Sequence, residues 1–348
     1  MSDVFEIAGR KIGTGCPPYI IAEVSGNHGG DLDRALEMID VAKSCGADAV
    51  KFQSYTPDTI TIDCDREEFI VGNPLWRGRT LYQLYTEACT PFEWHPALFE
   101  RARSVGITAF STPFDDSAVT LLESLDAPAY KIASSELVDI NLIKRVAQTG
   151  KPVILSTGMA TLDEIAEAVT AVESTGNRAL CLLHCVAGYP TPANESHLNT
   201  LNTLRDFGYP VGLSDHSTGT LVASSAVAMG AVVVEKHFCL SRSEKTVDGD
   251  FSLEPAELRE LVEQCAQVHA LKGLSLNGAS PVEADSRRFR RSLYAVADIA
   301  AGEEFTRENV RSIRPANGLH PRYLERLLGT KSKRHLPRGT PLGNKDLP

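Results

Sequence analysis

Short apolar runs alternate with longer stretches in which apolar positions recur every three to four residues. The runs at 19–24, 47–53, 107–112, 129–133, 152–156, 179–185, 210–213 and 232–234 predict eight strands. They are continuously apolar rather than alternating, as strands covered on both faces must be. The segments 31–45, 92–105, 115–125, 140–149, 162–174, 197–207, 219–229 and 255–271 predict helices. Asp31 is placed to cap the first, and Gly150 to stop the fourth. Eight strand–helix units within about 270 residues predict an α/β fold of the (β/α)₈ kind, the TIM barrel. A small hairpin around Gly9 and Arg10, at 5–12, precedes it. The long stretch 54–90, with Trp76, reads as irregular.

The pattern changes after residue 275. Residues 1–275 form the barrel domain, and 276–291, which carries SRRFRR, reads as a linker. From 292 to 348 short strands and turns are predicted at 292–298, 309–313 and 336–342, with one short helix at 321–328. A module of about 55 residues is near the lower limit for independent folding and is expected to lean on the barrel or on a partner chain.

Bulk properties narrow the partners. The 348 residues are 43% hydrophobic and 23% charged, ordinary for a globular protein. A net charge of −10 and a pI near 5.4 argue against nucleic acid or an anionic membrane as a partner. No apolar run approaches the ~18 residues of a membrane span. The N-terminal residues lack an apolar signal core and carry acids early, which predicts a cytoplasmic protein. Eight scattered cysteines without a CxxC pair read as reduced thiols.

In such a barrel, chemistry lives at the carboxyl ends of the strands. Read in order, those ends offer Glu23, then Lys51 and Gln53 on one face, then Ser111 and Thr112. Next come Lys131 with Ser134, Ser135 and Glu136 beyond it, and Ser156 with Thr157. The last three strands give His184 with Tyr189 after it, then Ser214, Asp215 and His216, and finally Glu235 and His237. A lone histidine there is more often a structural group than a ligand. His216 and His237 occupy equivalent places on neighbouring strands, roughly 5 Å apart, which reverses that balance. Two neutral imidazoles with open positions suit a divalent metal that also holds substrate. Lysines in buried strands are costly unless paired. Lys51 and Lys131, among hydroxyls, fit a phosphate or carboxylate, whereas Lys236 has the opposite parity to His237 and a weaker claim. No Gly-rich phosphate loop occurs, which disfavours a nucleoside triphosphate. The inventory predicts a metal-assisted reaction on a small phosphorylated anion. Lys131 on a barrel strand also leaves open a Schiff-base aldolase.

The segments IAEVSGNHGG, ADAVKFQSYTPDT, FSTPF, PAYKIASSE, KPVILSTGMATLDEI, LLHCVAGYPTP, VGLSDHS and EKHF resemble the sialic acid synthase family. Those enzymes condense phosphoenolpyruvate with an acylated amino sugar. The tail, VADIAAGEEFTRENVRSIRPANGLHP, resembles the antifreeze-like (SAF) module that ends these proteins, here 292–348. Within the family, NPLWRGRTLYQLYTEACTPFEWH, FRRSLYAVADI and GLHP are similar to the subgroup that makes pseudaminic acid. That subgroup uses 2,4-diacetamido-2,4,6-trideoxy-altrose. N-acetylneuraminate or legionaminate synthesis is the alternative.

The resemblance implies a set of roles. His216 and His237 would ligate Mn²⁺ or Mg²⁺. Lys51, Thr112, Lys131, Ser134, Ser156 and Ser214 would hold phosphoenolpyruvate. Glu23, Gln53, Glu136, Tyr189 and Asp248 would serve the sugar or the attacking water. Arg314 would reach into the barrel of a partner subunit, implying a domain-swapped homodimer. Some family members have Asn in the loop before the tyrosine, where this chain has Ala187.

Overall fold

A computed structural model describes residues 4–273 and 277–348. The chain divides into two compact units, Met1–Gly273 and Leu274–Pro348. The domain limit expected at 275/276 lies outside the described residues.

In the first unit, β1 (Val4–Ile7) and β2 (Arg10–Gly13) form the antiparallel hairpin. Eight parallel strands follow: β3 (Tyr19–Glu23), β4 (Ala49–Ser54), β5 (Thr108–Pro113), β6 (Tyr130–Ile132), β7 (Val153–Ser156), β8 (Leu180–Cys185), β9 (Val211–Asp215) and β10 (Val233–His237). They close in sequence order, β10 pairing with both β9 and β3, so no edge is left open. A helix covers the barrel after every strand. Asp31 caps the first, Leu32–Ser44, accepting from the Arg34 amide at 3.2 Å, and Leu162–Ser174 occupies the predicted residues. The stretch read as irregular holds two short helices, Pro57–Ile60 and Leu81–Ala88, each closed by a Thr capping box.

Strand parity divides the core in two. Ile20, Ala22, Val50, Phe52, Tyr130, Ile132, Val153, Leu155 and Leu182 point outward and pack under the helices. Ile21, Ala49, Phe110, Ala129, Ile154, Leu183 and Val233 point inward, where Phe5, Ile7 and Ile12 of the hairpin pack against them. Gly212 is required for closure, because a Cβ there would lie 2.5 Å from the Val233 carbonyl and 2.6 Å from Leu183.

The second unit pairs β11 (Ser292–Ala295) with β12 (Val310–Ile313) around Leu293, Ile299, Phe305, Leu327, Leu336 and Leu342. Two expectations are corrected here. The segment 336–342 is not a strand: it contributes isolated bridges, Ile299 to Leu336 and Tyr294 to Pro341, because Pro337 and Pro341 interrupt the ladder. The single helix at 321–328 is a 3₁₀ turn, Pro321–Tyr323, followed by one α-turn, Leu324–Leu327.

Candidate active site

At the carboxyl end of the barrel the inward positions turn polar around a cavity of about 240 Å³. Glu23, Lys51, Gln53, Thr112, Lys131, Ser134, Ser156, Tyr189, Ser214, His216 and His237 line it, as the strand-end reading predicts. Register explains the convergence. Glu23 is paired with His237 on one side and Lys51 on the other, Gln53 with Thr112, and Ser214 with Glu235.

The charges form one network. The Lys51 ammonium lies 2.6 Å from Glu23, donates to Thr112 Oγ1 at 3.1 Å and stands 3.7 Å from Glu235. Lys131 donates to Ser156 Oγ at 2.6 Å and also stands 3.7 Å from Glu235. Gln53 donates to Glu23 Oε1 at 2.9 Å and to Ser25 at 3.0 Å, so the Glu23 carboxylate is held from two sides. Burial pulls the Lys51 ammonium down, but Glu23 and Glu235 outweigh it and the group sits above the ordinary lysine range. Burial lowers Lys131, which Glu235 only partly offsets. The two carboxylates are pushed apart. Burial raises Glu23 against the pull of Lys51, while Lys131 and Lys51 overcome burial and hold Glu235 below the carboxylate range. Glu235 is a standing anion, and Glu23 is the carboxyl suited to exchanging a proton.

The two imidazoles share this cavity with ring centroids 5.4 Å apart. His216 Nδ1 donates to the Val186 carbonyl at 3.0 Å, which orients the ring. Burial pulls this imidazole down, but Cys185 and the Val186 carbonyl outweigh it and hold it above the ordinary histidine range, so Nε2 would become a lone-pair donor on losing its proton to a metal. His237 Nδ1 is buried without a hydrogen-bond partner, with Asp248 Oδ2 3.6 Å away. Burial, reinforced by His216 and Lys51, keeps that ring well below the ordinary histidine range and therefore neutral. A neutral, orphaned imidazole beside a second imidazole fits a divalent ion. Among the described residues no group of three His, Cys, Asp or Glu side chains is arranged to hold a metal, so two imidazoles would leave the remaining positions to water and substrate.

Parity also separates site from scaffold. Lys236 points outward, fully buried against Asp215 at 2.7 Å, a structural ion pair as its parity predicts. Ser111 faces away, bonded to Ser54 at 2.7 Å, and His184 bonds the Ser196 carbonyl at 2.7 Å. In place of His184 the cavity receives Cys185, whose Sγ is 3.8 Å from His216 Nδ1. Three expected residues are not among the lining. Asp248 is buried beside His237. Glu136 follows β6, partly buried with one orphaned oxygen, and burial pushes it up to about 7. Arg314 is exposed in the second unit, directly after β12.

Sequence reasoning missed several neighbours. Glu235 was visible at a strand end and shares the inward parity of His237, which is signal enough to place it. Trp76 and Phe251 come from long loops and had no such signal. Phe251 lies 4.9 Å from His237, and Tyr189 lies 4.3 Å from His216 and 6.0 Å from Trp76.

Residues 38–276 match the NeuB family, and residues 290–348 match the SAF domain. The pseudaminic acid synthase of Campylobacter jejuni is 43% identical over 329 residues, 94% of this chain and 96% of that one. The pseudaminic acid synthase of Helicobacter pylori is 41% identical over 333 residues, 95% and 98% of the two chains. The crystal structure of N-acetylneuraminic acid (sialic acid) synthetase from Leptospira borgpetersenii, in complex with citrate, superposes with a TM-score of 0.73. It is 34% identical and covers 82% of this chain and 95% of its own. The chain belongs to the NeuB family.

Proposed function

We propose that this protein is a pseudaminic acid synthase. It condenses phosphoenolpyruvate with 2,4-diacetamido-2,4,6-trideoxy-altrose and water, releasing pseudaminic acid and phosphate. One observation carries the reading: a single cavity in which two buried lysines ringed by hydroxyls adjoin paired imidazoles and a carboxyl raised by burial. The identity with pseudaminic acid synthases over nearly the whole chain supports the choice of sugar.

Lys51, Lys131, Thr112, Ser134, Ser156 and Ser214 hold the phosphate and carboxylate of phosphoenolpyruvate, as charge-assisted donors do. Gln53 and Tyr189 face the sugar from the cavity lining, and Asp248 beside His237 and Glu136 beyond β6 serve it from behind that lining. Carbon 3 of phosphoenolpyruvate bonds to the open-chain aldehyde carbon, leaving cationic character at carbon 2. Water adds there and gives its proton to Glu23. The resulting intermediate expels phosphate by breaking the carbon–oxygen bond. His216 and His237 would hold a divalent ion, Mn²⁺ or Mg²⁺, which when bound would supply Lewis-acid stabilisation of the charge developing on the aldehyde oxygen. Arg314 of one subunit serves the sugar in the barrel of another, within a homodimer.

Phosphate release with phosphoenolpyruvate and a panel of acetamido sugars tests the reading. The trideoxy-altrose should give the highest kcat/KM. A higher value for an N-acetylneuraminate or legionaminate precursor would replace the sugar and keep the chemistry. Full turnover in excess chelator would remove the metal, and unchanged sugar kinetics in Arg314→Ala would remove the partner contact.

A further inference from the structure

An arc of three aromatic rings stands beside the imidazoles. Tyr189 lies 4.3 Å from His216, and Phe251 lies 5.2 Å from Tyr189 and 4.9 Å from His237, between ring centroids. Trp76, from the loop after β4, extends the arc at 6.0 Å from Tyr189. Among the described residues no ring contact joins Trp76 to either imidazole, so it stands one ring farther from them. Its indole N–H donates to the Val247 carbonyl at 2.9 Å, which ties this loop to the one after β10. The ring's only polar atom is thereby satisfied, and the rest of its perimeter is apolar. The loop it grips carries Asp248 and Phe251 and is fixed elsewhere by Asn27, which donates to the Phe238 carbonyl and to Ser252 and accepts from Thr246.

The two ends of the site differ in chemistry. Among the described residues Lys51 and Lys131 meet carboxylates and hydroxyls, the imidazoles meet the rings, and no ring contact joins either lysine to Tyr189, Phe251 or Trp76. An open six-carbon sugar spans roughly 6 Å from carbon 1 to carbon 6, five bonds of about 1.5 Å. With carbon 1 at the imidazoles, that length is enough to bring carbon 6 against Tyr189, the one of these rings that lines the cavity, with Phe251 and Trp76 packed behind it. A methyl group there is buried favourably, whereas a hydroxyl loses water and finds ring faces.

We propose that Trp76 is a specificity-determining residue: it holds Tyr189 and Phe251 in place as an apolar wall that accepts the methyl end of a 6-deoxy sugar and disfavours a 6-hydroxyl. This rests on the reading above for the class of sugar. Trp76 acts through Tyr189 and the 246–251 loop, so it is a positioning residue.

The test compares kcat/KM for 2,4-diacetamido-2,4,6-trideoxy-altrose and for its 6-hydroxy counterpart, in the full-length enzyme. An apolar wall yields a preference of about 10- to 100-fold. In Trp76→Ala that ratio should fall by about tenfold, with KM for phosphoenolpyruvate unchanged. In Trp76→Phe, which keeps a ring without the N–H, most of the preference should remain. Equal losses on both sugars, or a raised KM for phosphoenolpyruvate, would reduce Trp76 to structural support and overturn the proposal. So would a wild-type enzyme indifferent to the 6-hydroxyl. If the wild type instead prefers another amino sugar, the reading of the sugar fails by itself, and the same ratio on that sugar's 6-deoxy and 6-hydroxy forms decides Trp76.

Discussion

Inward-facing residues run Ile21 to Glu23 along β3, Ala49 to Lys51 along β4, Phe110 to Thr112 along β5, Ile154 to Ser156 along β7, and Val233 to Glu235 along β10. At each place the interior passes from apolar to polar within one two-residue step. The lower end is apolar and packs against the hairpin, and its side chains lower the free energy of folding through burial. The upper end holds two lysines, two carboxylates and two imidazoles out of water, which costs stability. One set of strands therefore carries stability at one end and chemistry at the other. Substitutions two residues apart should separate the two.

The largest effect is expected at the upper end. Lys131→Met removes a donor aimed at the anion but leaves Glu235 its contacts with Lys51 and Ser214. Phosphate-release kcat/KM should fall by about 10³-fold, the scale of losing a preorganised charge. The melting temperature should hold, because Glu235 keeps Lys51 as its countercharge and the ammonium removed is one whose burial Glu235 only partly offsets. A cooperative loss of fold would show that the upper charges are structural. At the lower end, Ile154→Ala should do the reverse. A fully buried residue under the hairpin is cut back, costing about 3–4 kcal/mol in denaturant unfolding. Activity per folded molecule should stay near wild type, and a fall in kcat would break the division between the ends.

The same parity explains what could be read from the chain. Once the eight strands are recognised, a two-residue period tells Lys51 and Lys131 from Lys236, and His237 from the outward Lys236 beside it. It equally marks Glu235 and Cys185 as inward, although neither was given a role. Parity is a property of regular backbone and stops where loops begin. Trp76 meets Val247 across 171 residues, a contact set by tertiary packing that no local pattern announces. Proline limited the reading in the tail, where an apolar run at 336–342 contains Pro337 and Pro341 and cannot build a ladder.

A smaller effect should distinguish the ends by pH. Burial raises the Glu136 carboxyl to about 7, against the opposing influences of its backbone hydrogen bond and Lys131. Between about pH 4.5 and 7 the folded protein then binds this proton more tightly than the unfolded chain does. The associated stability is full below that window and is lost as pH rises through it, by about 2 kcal/mol once residual solvent contact is allowed for. Glu136→Gln stays neutral throughout and should not lose it. The variant should match wild type near pH 4.5 and melt higher at pH 7.5. A difference independent of pH would mean that the group is ionised in both states.

The smallest effect tests whether the hairpin's turn contributes to the lower end through backbone geometry alone. Ala8 and Gly9 both have positive φ, 48° and 81°, the pattern of a two-residue turn whose twist suits a tight hairpin. A Cβ at Gly9 would meet nothing within 4 Å, so Gly9→Ala adds no clash. What it adds is the intrinsic cost of a left-handed conformation, about 1 kcal/mol. Phe5, Ile7 and Ile12 would remain in place, and unfolding should shift by that amount while kcat and both KM values hold. A larger loss would show that the turn is coupled to the packing of the lower end, and a change in KM would show that strain there reaches the upper end.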